Sequence, residues 1–428
     1  MRQASNSTYR PAEQQVVITG MAAVTSVGNS LNETWQGLLA GRSGIGPITV
    51  LDASQWPCRV AGEIKGLDPG ASLPRSKRRQ MAFSSQLALA VAEQALADAG
   101  LVPGEFNRDR VGVLLGTAGS GTVAETEEAM ASQSGDGRSR LSPFQVLRVW
   151  PNMDAFFVAE AYGLRGPNAV ICTACAAATH AIGEAALQIR RGAADVMVAG
   201  GAESPLSELA MAGYTAIRAV ATHYNDRPEE AMRPFDADRE GFVPAQGGAI
   251  LVLESLAHAR ARGAVIGAHI LGFGASNDAL HLIAPDPDGS GAALAIQRAL
   301  DDAGVTPEQV DYINAHGTST ILGDTAETRA IKSVFGEHAY RVAVSSTKSM
   351  TGHMLGATGA LEAAVCALAI RDGVVPPTIN YCTPDPECDL DYVPNQARSM
   401  PVRVAVSNSF GIGGQNAVLV LGTPDDRE

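Results

Sequence analysis

Two pairs of segments in this chain echo each other. GFVPAQGGAILVLE (241–254) resembles SFGIGGQNAVLVLG (409–422), and the strand-like stretches QVVITGMAAVTSVG (15–28) and GAHILGFGASND (267–278) open the corresponding parts of the chain. Repetition of both an opening and a closing strand implies two similar halves with a boundary near residue 260. The 428 residues exceed what one average core needs, and 46% hydrophobic with only 18% charged residues suits a large buried α/β core. The expected division is a polar, frayed tail over 1–14, a first half over 15–260 and a second half over 261–428.

The first half carries a cysteine in a telling place, Cys175 in ICTACAAATHAIGEA (171–185). Ala169, Val170 and Ile171 read as the end of a buried strand, and Ala176 to Arg191 is rich in helix formers and stops at Gly192. Cys175 then stands at a helix N-terminus, where unpaired N–H groups and the positive end of the dipole favour a thiolate and predict a depressed thiol pKa. Thr173, Ala174, Ala176, Ala177 and Ala178 are small and leave room for a substrate. Two other readings fit the same stretch. A free cysteine is commonly a small buried hydrophobe, and Cys172 with Cys175 spells a C-x-x-C pair. A zinc knuckle would need two more ligands at a matching spacing, and Cys382 and Cys388 stand too far apart. A redox dithiol usually has Pro or Gly where Thr173 and Ala174 stand. No metal is expected, and Cys172 is expected to pack inside the last turn of the strand.

Two histidines in the second half give Cys175 its partners. His316 lies in NAHGTST (314–320), after the apolar run from Val310 to Ile313. His353 lies in SSTKSMTGHMLGATG (345–359), five residues after Lys348 and flanked by Gly352, Gly356 and Gly359. Glycines there permit close backbone approach, and Leu361 to Ile370 reads as a buried helix. A nucleophile and two imidazoles from distant loops form the constellation of an enzyme that holds an acyl group and then bonds to it.

Four ordered blocks carry a resemblance: TAC at Cys175, NAHGTST, SSTKSMTGH and NSFGIGGQNA (408–417). They resemble the signature of the condensing enzymes, in particular the second class of elongating beta-ketoacyl-[acyl-carrier-protein] synthases and their relatives in type II polyketide assembly. Degradative thiolases carry a second cysteine where His353 stands, and CoA-primed initiating synthases an asparagine; neither pattern occurs here. The resemblance covers nearly the whole chain and implies a duplicated five-layered αβαβα thiolase fold, with the site between the halves.

That resemblance also implies roles. Cys175 would take an acyl group from the phosphopantetheine arm of an acyl carrier protein, and His316 and His353 would donate N–H groups to the enolate left when malonyl carrier protein loses its carboxylate. The oxyanion of the Cys175 thioester would lie between the backbone N–H groups of Cys175 and Ile412. Lys348 would support the second histidine, with Glu327 in GDTAETRAI as its carboxylate partner. Thr318 and Thr320 would hydrogen-bond the pantetheine, and His281 in SNDALH would lie near the mouth of its tunnel. Phe410 and Ile412 would form the gate. No cofactor is implied. The expected assembly is a homodimer, with a heterodimer containing a chain-length-factor-like subunit as the alternative.

Departures from the family pattern bear on substrate choice. Ile412 replaces the second phenylalanine of the usual gate and is smaller and stiffer, and Gln415 replaces the common threonine. Gln145 in SPFQ falls where an aromatic side chain of a partner subunit usually lines the pocket floor, opposite the small residues of GTAGSG (116–121). Those two features imply a longer or more polar acyl end. Gln246 in PAQGGA replaces an acidic residue. The segment from Ala118 to Phe144 reads as an insertion that helps build the subunit interface and the pocket.

The net charge of −13 argues against general nucleic-acid binding. It would also repel an acidic carrier protein unless cations are concentrated locally, as in Arg75, Lys77, Arg78 and Arg79 of RSKRR and in Arg218, which match the family's carrier-docking regions. No signal peptide follows Met1 and no apolar stretch approaches the roughly 20 residues of a membrane helix. A cytoplasmic location is expected, where a reducing compartment keeps the thiol free.

Overall fold

Strands that are apolar along their whole length must be covered on both faces, and this requirement organises the molecule. The computed structural model describes residues 10–102, 104, 106–133 and 141–424. The first half contributes β1 (Val16–Val24), β2 (Val111–Gly116), β3 (Asn168–Ile171), β4 (Val196–Glu203) and β5 (Gly247–Ser255). The second contributes β6 (Ala268–Asn277), β7 (Tyr312–Asn314), β8 (Ala343–Ser345), β9 (Val404–Gly411) and β10 (Gln415–Gly422). Among the described residues these ten join in one sheet, in the order β8-β7-β9-β10-β6-β1-β5-β4-β2-β3.

The duplication legible in the sequence is complete in the topology. In the first half β3, β2 and β4 pair in parallel and β4, β5 and β1 antiparallel; in the second, β8, β7 and β9 pair in parallel and β9, β10 and β6 antiparallel. The echoing segments are the equivalent strands β5 and β10, and their openings are β1 and β6. The halves meet through a short antiparallel junction in which Val16, Val17 and Ile18 face Ile270, His269 and Ala268.

Apolar side chains fill the spaces between the five layers. Helices α1 (Phe83–Asp98), α2 (Ser120–Gln133), α3 (Gln145–Val149) and α4 (Met153–Tyr162) belong to the first half, as does α5 (Ala177–Arg190), which follows Cys175. The second half supplies α6 (Ser290–Ala303), α7 (Ile321–Phe335) and α8 (Thr358–Asp372). Helices α1 and α4 cover the outer face of the first half, and α6 and α7 that of the second. Between the two halves lie α5 and α8, packed on each other and on the inner faces. Every residue of α8 from Thr358 to Ile370 is buried, as its apolar composition demands of a helix in the middle layer.

Several expectations need correction. Strand β3 is an edge strand rather than a buried one: Asn168 and Ala169 are exposed and Val170 and Ile171 only half-buried. Cys172, after its end, is likewise exposed. The polar tail holds fast from Arg10 onward, because Arg10 pairs with Asp302 at 2.5 Å and donates to the Leu271 carbonyl at 3.0 Å; residues 1–9 lie outside the described set. Of the insertion, residues 118–133 and 141–144 are described, most of them in α2. Gln145 is buried and donates to the Glu125 carbonyl at 2.8 Å.

Gly116, at the end of β2, ties the fold to the site. A Cβ there would stand 2.2 Å from the Ala177 carbonyl carbon and 2.3 Å from the Ala178 nitrogen, in the first turn after Cys175. Gly116→Ala is expected to destabilise the protein by about 3 kcal/mol, because backbone rather than a flexible side chain must yield. Thermal unfolding compared with wild type, alongside alkylation of Cys175, checks both the loss of stability and the displacement of the nucleophile.

Candidate active site

Strand β3 leads into a strained turn with Cys175 at its centre. Ala174 adopts φ +48°, rare for a residue with a side chain, and a single 3-10 turn over Ala174–Ala176 runs straight into α5. The same turn recurs in the second half, where Leu355 has φ +44° and a 3-10 turn over Leu355–Ala357 leads into α8. There Gly356 takes the place of the cysteine, and a Cβ would meet the Ala118 nitrogen at 2.4 Å. Duplication thus built the turn twice, and of the two copies the first holds a cysteine.

The two histidines converge on that cysteine. His353 Nε2 lies 3.1 Å from Cys175 Sγ, and its Nδ1 lies 3.0 Å from Thr358 Oγ1. The His316 ring stands nearly perpendicular to His353 with centroids 5.6 Å apart, and Phe410 edges onto His316 at 5.7 Å. Ligand-type atoms of Cys175, His316 and His353 all fall within 4.8 Å of one another. The backbone N–H groups of Ile412 and of Cys175 itself are directed at Sγ. Next to Cys175, Leu206, Met211, Phe242 and Leu355 form an apolar cluster against which Ala118 and Tyr214 pack. This arrangement gives an acyl chain on Sγ an oily wall and its carbonyl oxygen two amide donors.

Burial decides the electrostatics. It pushes the Cys175 thiol up from 9.0 to about 11, although the Lys348 ammonium and the two N–H groups pull the other way and the Glu203 carboxylate opposes them. The depressed pKa expected from the helix N-terminus is therefore corrected: desolvating a thiolate outweighs the dipole and the lysine together. Burial first, and then Lys348, holds both His316 and His353 well below their ordinary 6.5. Both imidazoles are neutral at neutral pH, each with one N–H to donate.

Lys348 is itself fully buried and donates to Glu362 Oε1 and to the His316 carbonyl, each at 2.5 Å. Glu362, not Glu327, is its ion-pair partner. Burial raises the Glu362 carboxyl to about 7 against the pull of Lys348. Glu327 instead accepts the backbone N–H groups of His316 and Gly317 at 2.8 Å each and the Asn408 amide at 3.0 Å, and so fixes the loop that carries His316. The sequence reading missed Glu362, Thr358 and Asn408. A signal for Glu362 was present, since a carboxylate inside TGALEAAVCALAI must find a cation when that helix is buried.

The remaining sequence-derived residues scatter. Thr320 caps α7 by accepting the Gly323 N–H at 3.2 Å, and Thr318 Oγ1 lies 3.1 Å from Thr320 Oγ1. His281 sits on an exposed loop, where its Nδ1 accepts the N–H groups of Ile283 and Ala284. Arg75, Arg79 and Arg218 are exposed without an ion-pair partner among the described residues, whereas Lys77 is paired with Glu160 and Arg78 with Asp68. Gln246 bridges the Ser204 hydroxyl and the Ile64 N–H, a neutral link between two loops.

Residues 13–259 match the family described as Beta-ketoacyl synthase, N-terminal domain, and residues 267–382 match Beta-ketoacyl synthase, C-terminal domain. The chain belongs to the beta-ketoacyl synthase family. It is 49% identical to the curated 3-oxoacyl-[acyl-carrier-protein] synthase 2 of Synechocystis sp. over 96% of this chain and 98% of the relative. Among solved structures, the ishigamide ketosynthase/chain length factor superposes with a TM-score of 0.89 at 37% identity, covering 96% of this chain and 99% of that one. A ketosynthase solved with its type II PKS acyl-carrier protein, bound to the hexaketide, gives 0.88 at 37% identity, with 96% and 99% covered. The thiolase-type architecture expected from the sequence agrees with these likenesses.

In this beta-ketoacyl synthase family member the thiol pKa itself can be measured. Alkylation of Cys175 by iodoacetamide, followed by peptide mass, is expected to rise about ten-fold per pH unit up to about pH 10, since the ionised fraction grows until the pH reaches about 11. A plateau by about pH 8 would reveal an activated thiolate instead.

Proposed function

We propose that this chain is a 3-oxoacyl-[acyl-carrier-protein] synthase, an acyltransferase that lengthens acyl chains by decarboxylative condensation in fatty-acid or related polyketide assembly. The observation that carries this reading is Cys175 Sγ held 3.1 Å from His353 Nε2 and facing the N–H groups of Ile412 and Cys175. Attack of Sγ on the thioester of acyl carrier protein forms the new sulfur–acyl bond and breaks the bond to the pantetheine sulfur, which departs with the thiol proton. Malonyl carrier protein then loses its carboxylate as carbon dioxide. The resulting enolate oxygen receives N–H groups from His316 and His353, each worth on the order of 3 kcal/mol. Its carbon bonds to the acyl carbon, and Cys175 leaves as a thiolate that regains a proton.

Neutral imidazoles suit that second step, because they donate without bringing a charge that must be desolvated. No metal or other cofactor takes part in this reading. The Lys348 ammonium acts on all three ligand-type atoms of the Cys175, His316 and His353 cluster and would repel a divalent cation there. Phe410 and Ile412 form the gate; Ile412 is 40% exposed while its N–H turns inward. Thr318 and Thr320 contact the pantetheine, and His281 lies near its path.

The carrier docks through Arg75, Arg79 and Arg218, which have no ion-pair partner among the described residues, with Lys77 and Arg78 contributing less because acidic neighbours already occupy them. A homodimer would cover the open edge of β3 and the exposed Val146, Trp150 and Phe156. A heterodimer with a chain-length-factor-like subunit is the alternative, disfavoured by the match at 48–49% identity to curated 3-oxoacyl-[acyl-carrier-protein] synthase 2 relatives over nearly the whole chain; Cys175, His316 and His353 lie in one chain under either reading. Among the described residues no helix is long and apolar enough to cross a membrane, and a cytoplasmic setting would preserve the free thiol.

Acyl carrier protein incubated with the enzyme should leave an acyl adduct on Cys175, and added malonyl carrier protein should convert it to 3-oxoacyl product. Cys175→Ala should give neither, and His316→Ala should keep the adduct while condensation falls by about 10²–10³. Absence of any adduct from wild type would sink the proposal.

A further inference from the structure

A catalytic imidazole is defined by which of its nitrogens carries the proton, and the group bonded to the other nitrogen decides that. For His353 the partner of Nδ1 is the hydroxyl of Thr358, the first residue of α8, at 3.0 Å. Thr358 is 1% exposed and His353 is equally buried, so water does not compete for the contact. Among the described residues, neither the Thr358 hydroxyl nor His353 Nδ1 has a second hydrogen-bond partner.

Only one arrangement satisfies both groups. If the hydroxyl donates to Nδ1, its hydrogen and the ring lone pair are both used, and the ring proton must sit on Nε2. If Nδ1–H donated instead, the buried hydroxyl hydrogen would have no acceptor, a loss of the kind that proteins avoid. We propose that Thr358 is a positioning residue that fixes His353 in its Nε2–H tautomer. His353 is thereby a hydrogen-bond donor in both half-reactions, first to Cys175 Sγ at 3.1 Å and then to the enolate, and it is not the base that removes the thiol proton. This inference rests on the condensing-enzyme reading above.

Nitrogen-15 NMR of imidazole-labelled enzyme, combined with malonyl-carrier decarboxylation rates, tests it on wild type, Thr358→Val and Thr358→Ser. Wild type and Thr358→Ser should show His353 protonated at Nε2 alone and equal rates. Thr358→Val keeps the shape, loses the hydroxyl, and should show a mixture of tautomers with decarboxylation about five-fold slower or more. Wild-type His353 protonated at Nδ1, or Thr358→Val matching wild type in tautomer and rate, would overturn the proposal. Thermal unfolding of Thr358→Val separates a folding defect from a tautomer effect, and Thr358→Ser failing to restore the rate would also count against it. If wild type neither decarboxylates malonyl carrier protein nor accepts an acyl group, the functional reading itself fails, whereas the tautomer remains readable by NMR.

Discussion

A lysine with no access to water sets the character of this site. The Lys348 ammonium is held between the Glu362 carboxylate and the carbonyl of His316, so it both anchors the loop of one histidine and places a positive charge behind the whole cluster. Such a pair gives little net stability, because desolvating two ions offsets much of their attraction. Its consequence is chemical. Burial first, and then this fixed positive charge, disfavours protonation of the two imidazoles, so both stay neutral, and neutral N–H donors can serve an enolate oxygen.

The thiol and the histidines respond to burial in opposite senses, and both responses serve the same chemistry. Burial favours the thiol form of Cys175, which lowers its reactivity toward alkylating agents and oxidants. The groups beside Sγ, the Ile412 and Cys175 N–H groups and His353, are the ones that would hold the oxygens of bound intermediates in the proposed reaction. They come from three separated elements, the turn before α5, the turn after β9 and the loop before α8. Only the packing of two homologous halves face to face brings those together, and the strained turn at Ala174 and its twin at Leu355 record how the arrangement arose.

Much of this was legible in the chain. The echo between β5 and β10 announced the duplication, because equivalent buried strands keep equivalent apolar patterns. The nucleophile and both histidines announced themselves by sitting in small-residue loops at strand ends. What was not legible depends on burial, which a linear sequence does not display. The thiol pKa was misjudged because a helix dipole can be inferred from composition while desolvation cannot. The lysine was assigned to Glu327 because that carboxylate stands in a motif, whereas Glu362 hides in an apolar helix and is adjacent only after folding. Strand β3 looked buried because its composition does not reveal that it ends a sheet.

Burial and Lys348 together keep His316 and His353 uncharged. A residue-resolved nitrogen-15 NMR titration of His316 and His353 tests it most directly. Neither ring is expected to titrate near its ordinary 6.5, and both should remain neutral down to the acid limit of the fold, since a depressed pKa delays protonation to lower pH. Protonation of either ring with a midpoint near 6.5 or above would contradict it.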